Sequence, residues 1–186
     1  MTRKPVERSD VIPLLGEIFR EHGYAGASLS AITERTGLGK GSLYHLFPDG
    51  KDGMARAVLD DVADWFETQV FAPLRDSEDA AAGIDHMFRA VVQFFHSGRR
   101  VCLVGAFALD ETRDRFAAEV QSYFAAWTHA LAVALRRRGL ETRRARETAE
   151  DVVAGIQGAL VLARSQDAPA FFVRAIKRLQ QRTCVD

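Results

Sequence analysis

The chain has 186 residues, 47% of them apolar and 27% charged, enough for one or two domains with a buried core. No apolar run approaches the ~18 residues needed to span a bilayer. No apolar signal segment follows the charged N-terminus, and Cys102 and Cys184 have no metal-ligand spacing. The expectation is a cytoplasmic protein without membrane association, disulfide framework or metal. The balance of 25 basic against 25 acidic residues weighs against nucleic-acid binding by bulk charge.

No segment alternates with period two, so every element reads as helix. A first helix starts at about Ser9 or Asp10, carries Ile18 and Phe19, and ends at Gly23, with Pro13 tolerated near its start. Ser28 caps a second, "LSAITERTG", which stops at Gly37. A third, "KGSLYHLF", ends before Pro48. A longer helix runs from Lys51 through Met54, Val58, Val62, Trp65, Phe66 and Val70 until Pro73 breaks or ends it. The next, about Glu78 to Ser97, places Ile84, Phe88, Val91, Val92 and Phe95 on one face. From about Thr112 to Arg138, Phe116, Val120, Tyr123, Phe124, Trp127, Leu131 and Leu135 form one face of a 3.6-residue repeat that Gly139 stops. Thr142 is expected to cap a further helix carrying Ala149, Val152, Val153, Ile156 and Leu160. The last opens at Asp167 with Pro169 in its first turn. Short helices separated by glycine turns thus give way to long ones, marking a boundary near residue 50 between domains 1–50 and 51–186.

"TGLGKGSLYHLF", residues 36–47, is the stretch that bears on function. A phosphate-binding P-loop needs Gly, four residues, then Gly-Lys-Ser/Thr after a strand; here Glu34 stands at the first position and Gly41 follows Lys40. A dinucleotide loop fails at Ser42, where its third glycine belongs. The remaining reading is a helix-turn-helix, whose glycine turn permits positive φ and a sharp crossing. Ala31, Ile32, Leu38, Leu43 and Phe47 then pack inward. Lys40, Ser42, Tyr44 and His45 point outward from a helix short enough for a major groove. The same spacing also suits a plain packing unit in which Tyr44 is a core aromatic with its hydroxyl at the surface.

The segment from Phe19 to Met54 closely resembles the DNA-binding domain of TetR-type transcriptional regulators, and its one-residue extension in "FPDGK" resembles the LmrA/YxaF-like branch. The matching features are "F-x-x-x-G-Y" at the end of the first helix, the Ser-led second helix, and "G-x-x-K-G-S-L-Y-x-x-F". The resemblance implies an all-α protein with an N-terminal three-helix DNA-binding domain followed by a C-terminal helical bundle for ligand binding and dimerisation. It implies a repressor that binds double-stranded operator DNA, with Lys40, Tyr44 and His45 touching bases or backbone. Ser28 and Lys51 fall where the family grips phosphates, at helix N-termini suited to anions. Leu46 departs from the histidine many members have before the final Phe.

The rest of the chain is expected to sense and to dimerise. Small residues in "VVAGIQGALVLA" permit close helix approach, so the last two helices are the expected homodimer seam, with Val153, Ile156, Gly158, Leu160, Phe172 and Ile176 on it. The surplus of aromatics in the middle helices reads as a receptor for a small, largely apolar effector. Trp65, Phe107, Tyr123 and Trp127 are its expected walls, joined by Cys102 and "CLVGAFALDET". A redox role for Cys102 is the alternative to an inert buried thiol, and Cys184 reads as exposed. The basic cluster "RRRGLETRRAR", residues 136–146, reads as a solvated helix end and turn. An enzyme would need converging groups. Asp85-His86 and Asp110-Glu111 are adjacent pairs whose members diverge on a helix, so neither catalysis nor a cofactor is expected. A helical adaptor that binds only proteins would not need the Lys40-Tyr44-His45 face.

Overall fold

The computed structural model describes residues 6–110 and 113–183. Cys184, Glu111 and Thr112 lie outside the described residues. Every regular element among those described is helical: α1 (Arg8–Gly26), α2 (Leu29–Thr36), α3 (Lys40–Leu46), α4 (Gly50–Phe66), α5 (Ala72–Asp76), α6 (Ala80–Phe94), α7 (Leu103–Leu109), α8 (Ala117–Arg137), α9 (Thr142–Ser165) and α10 (Pro169–Arg182). Among the described residues no helix is long and apolar enough to cross a membrane.

The chain packs as two compact units, 1–63 with 103–120, and 64–102 with 121–186. This differs from the expected division at residue 50. The first fourteen residues of α4 pack with the N-terminal helices, and a later segment, Leu103–Val120, returns to them. The physical reason is apolar. Phe107 and Phe116 stand edge-on to each other at 5.0 Å and to Tyr24 at 6.1 and 5.3 Å, and Phe107 also meets Phe19 at 6.0 Å. Val11, Leu15, Ile18, Ile32, Leu43, Phe47, Met54 and Val58 complete the core of this unit.

Helix α1 starts at Arg8, where Glu7 and Asp10 cap each other's backbone; its regular path is interrupted at Gly23 (φ 66°, ψ 178°), as expected, and a last turn runs on to Gly26. Beyond α4 the chain continues through one wider π turn, Glu67–Phe71, into α5, so Pro73 neither breaks nor ends the helical path. Proline cannot donate to the carbonyl four residues back, that of Gln69. His86 Nε2 stands 3.0 Å from this oxygen and satisfies it from α6.

In the second unit α9 packs along α10, and α10 also meets α6. Its core is aromatic: Phe66 contacts Trp65, Phe71, Phe94, Phe95, Tyr123 and Trp127 with ring centroids 4.9–6.3 Å apart. The cap of α9 is Glu141, whose carboxylate accepts from the N–H groups of Arg143 and Arg144, so Thr142 is the first helical residue and not the cap. These two hydrogen bonds hold the Glu141 carboxyl below its ordinary range. The basic cluster is more structural than expected. The Arg137 guanidinium donates to the carbonyls of Arg75, Ser77 and Glu78 at the end of α5, and that of Arg138 donates to Thr183 O at the end of α10.

Candidate nucleic-acid interface

Two left-handed glycines frame α3. Gly37 (φ 68°) ends α2 and donates to Thr33 O, and Gly50 (φ 62°) opens α4. A side chain at either position is strained, so both turns require glycine. The extra residue of "FPDGK" is taken up between them, in the turn closed by Gly50 N–H to Phe47 O at 2.9 Å. Ser28 Oγ accepts from Ala31 N–H at 3.1 Å and fixes the start of α2, and Ser28 itself is exposed.

The alternation along α3 follows directly. Leu43 and Phe47 are buried with Ile32 beneath the helix, whereas Ala31, Leu38 and Leu46 are half-buried. Lys40, Ser42, Tyr44 and His45 are exposed together, and Tyr44 remains 50% exposed despite its size. Nothing lies within 4 Å of where a Cβ would stand on Gly39 or Gly41, so the backbone on this side is bare. A Cβ on Gly50 would stand 3.3 Å from Tyr44 Cε1, so the ring rests against the start of α4.

Lys51 is placed differently from Lys40. Its Nζ donates to Tyr24 O at 2.9 Å and lies 4.3 Å from the Tyr24 ring centroid, leaving the side chain half-buried. The neighbouring Asp52 accepts from the Tyr24 hydroxyl and from Arg115 Nη1, at 2.9 Å to Oδ1 and 3.2 Å to Oδ2. The Tyr24 hydroxyl and the Arg115 guanidinium hold the Asp52 carboxyl below its ordinary value. Burial, reinforced by Asp52, pushes the Tyr24 phenol up. The sequence did not single out this cluster, because its members are 28 and 63 residues apart.

Of the residues expected to wall an effector site, Trp65, Tyr123 and Trp127 share the aromatic cluster around Phe66. Trp127 Nε1 donates to Met87 Sδ at 3.5 Å. The Tyr123 hydroxyl is buried without a hydrogen-bond partner. Burial, with a smaller contribution from Cys102, pushes its phenol well above the ordinary value. Cys102 is a buried thiol. Phe107 does not join them, because its ring is taken up by Phe19, Tyr24 and Phe116 in the first unit.

The residues expected at the dimer seam fall into two groups. Val153, Ile156, Leu160, Phe172 and Ile176 are buried within the second unit, and only Gly158 of the six is exposed. Phe172 packs against Phe95 with ring centroids 6.2 Å apart, and α9 approaches α10 where Gly155 meets Leu179. The face that α9 leaves uncovered is Ala154, Gly158, Val161 and Leu162, with Val161 61% and Leu162 45% exposed. Asp85 and His86, considered as a catalytic pair, diverge: Asp85 accepts from Gln180 at 2.8 Å while His86 faces Gln69 O.

A helix held outward by two glycine turns, in a chain that also carries a separate helical bundle, defines the class: a helix-turn-helix transcriptional regulator. Residues 17–58 match the model of bacterial regulatory proteins of the tetR family, and residues 80–178 match that of the C-terminal domain of LmrA/YxaF-like transcriptional regulators. The chain belongs to the TetR family, in its LmrA/YxaF-like branch. It is similar to the HTH-type transcriptional regulator LmrA of Bacillus subtilis, 24% identical over 159 residues that span 83% of this chain and 85% of LmrA. It is also similar to the HTH-type transcriptional repressor ComR of Escherichia coli, 34% identical over 98 residues, 50% of this chain and 45% of ComR. A TetR transcriptional regulator from Legionella pneumophila has the same fold, with a TM-score of 0.83 at 20% identity over 98% of this chain and 99% of that one.

Proposed function

We propose that this protein is a ligand-responsive repressor that acts in the cytoplasm as a homodimer on double-stranded operator DNA and catalyses no reaction. The observation that carries the DNA reading is the joint exposure of Lys40, Ser42, Tyr44 and His45 above a buried Leu43 and Phe47. Lysine and serine suit phosphates or base edges, tyrosine and histidine a backbone oxygen or a thymine methyl. With zero net charge, affinity comes from two heads placed about 34–36 Å apart, one DNA turn, or a small multiple of it. Support for the pairing surface is the uncovered stripe of Ala154, Gly158, Val161 and Leu162 on α9, whose glycine allows close approach. The repressor sense is supported by the similarity to ComR.

The effector is a small, largely apolar molecule received among Trp65, Tyr123 and Trp127, with an acceptor group for the unpartnered Tyr123 hydroxyl. It releases DNA by favouring a position of α4 in which the heads no longer match the operator. A coupling of ~1–3 kcal/mol changes affinity about 5- to 150-fold. The DNA reading is tested on duplexes that the wild-type protein selects from random-sequence DNA. Tyr44→Ala is expected to weaken binding to its selected site by ~1–3 kcal/mol. Lys40→Ala is expected to weaken all sequences alike and to reduce the salt slope by about one ion. Unchanged affinity in both variants defeats the assignment.

A further inference from the structure

Two ion pairs cross between α4 and the segment that begins α8. On α4, Asp52 and Arg56 are four residues apart and share a face. Opposite them stand Arg115, in the turn just before α8, and Glu119, in its first turn, also four apart. Arg115 meets Asp52 at 2.9 Å and Arg56 Nε meets Glu119 at 3.2 Å. Phe116 lies between the pairs with the Arg56 guanidinium 5.6 Å above its ring. The order is acid then base on α4, base then acid on the other side. A slip of one helical turn, about 5.4 Å, brings Arg56 opposite Arg115 and sets like charges against each other. The arrangement therefore favours one register.

That register bears on the reading helix through a short chain of contacts. Arg115 also donates to the Tyr24 hydroxyl at 3.1 Å, and Tyr24 donates in turn to Asp52. Next to Asp52, Lys51 holds the Tyr24 carbonyl at 2.9 Å, and Gly50 lies against the ring of Tyr44. The first turn of α4 is thus fixed to the end of α1 on one side and supports Tyr44 on the other. All four charged side chains remain partly exposed, so each pair is weak and readily opened. The same α8 that carries Glu119 supplies Tyr123 and Trp127 to the core of the second unit.

We propose that Arg115 and Glu119 are positioning residues for operator recognition: by holding Asp52 and Arg56 they keep α4 in the register that presents Tyr44, and displacement of α8 opens the pairs. This rests on reading α3 as the DNA-contacting helix. The test uses the full chain and the duplex selected by the wild type. Asp52→Arg and Arg115→Asp are each expected to weaken binding about tenfold, and the reversed double variant to recover to within about threefold of wild type. Melting temperature and far-UV circular dichroism are read alongside. If a reversal unfolds the protein, Arg115→Gln, which removes the charge without inverting it, is expected to weaken binding about threefold.

Singles, or Arg115→Gln, that bind like wild type overturn the proposal, as does a lower melting temperature without loss of affinity. So does a folded double variant that fails to recover. A wild-type protein that selects no duplex overturns the DNA reading along with it. Asp52 and Arg115 variants that bind normally while Tyr44→Ala is impaired overturn this inference alone.

Discussion

Tyr24 spends its ring on Phe19, Phe107 and Phe116 and its hydroxyl on Asp52, and this one side chain shows how the head is held. Its position after Gly23 is recognisable in sequence as a family feature, whereas its partners are not, since Asp52 and Arg115 are remote in the chain. The pair has a consequence in acid. The folded-state pKa of Asp52 is lowered from an ordinary 3.8, so its contribution is fully present above the unfolded value and is lost as pH falls through the folded one. Asp52→Asn should melt below wild type at neutral pH, and the gap should close as pH drops below about 4. Melting curves across that range check it; a gap that stays constant to pH 3 shows that the charge of Asp52 contributes nothing. Gly37 and Gly50 are the opposite case, legible from sequence because a left-handed turn is a local requirement that glycine meets at no steric cost.

The eight helices that the apolar periodicity marks all appear in order, since a buried stripe fixes a helix whatever it packs against, whereas the short α5 and α7 were not expected. Helix ends follow the periodicity less well. Glu141 caps α9 in place of Thr142, and Pro73 is absorbed by a π turn whose freed carbonyl is met by His86 from another helix. The faces of α9 are where periodicity misleads. Val153, Ile156 and Leu160 form an apolar stripe that marks burial but does not say by what, and it is already buried within the protomer. The uncovered Val161 face is the proposed contact with a second copy, and the two stripes predict different failures. Val161→Glu should shift the protein toward monomer at micromolar concentration with its helicity retained. Ile156→Ala should leave association intact and lower stability by ~2–5 kcal/mol through the cavity it opens. Light scattering together with denaturant unfolding separates the two, and a Val161→Glu variant that stays dimeric removes α9 from the seam.

At the scale of the molecule, the DNA-binding unit is assembled from two stretches of chain, 1–63 and 103–120. Leu103, Val104, Phe107 and Phe116 are buried in it, each contributing ~1.5–3 kcal/mol. Together they rival the ~5–15 kcal/mol by which a whole domain is stable. A peptide of residues 1–63 should therefore lack a cooperative urea transition that the full chain retains; a sharp transition in the peptide makes residues 103–120 dispensable. By itself the sequence determined the helical class, the helix-turn-helix and the side chains that α3 turns outward, because these depend on periodicity and turn geometry within a dozen residues. Only the tertiary structure decided that Phe107 belongs with the head, that the Val153–Leu160 stripe is internal, and that Asp52 and Arg56 meet Arg115 and Glu119. Each is a pairing between surfaces that are equally apolar or equally charged in isolation, and which surface meets which is settled only when the chain closes on itself.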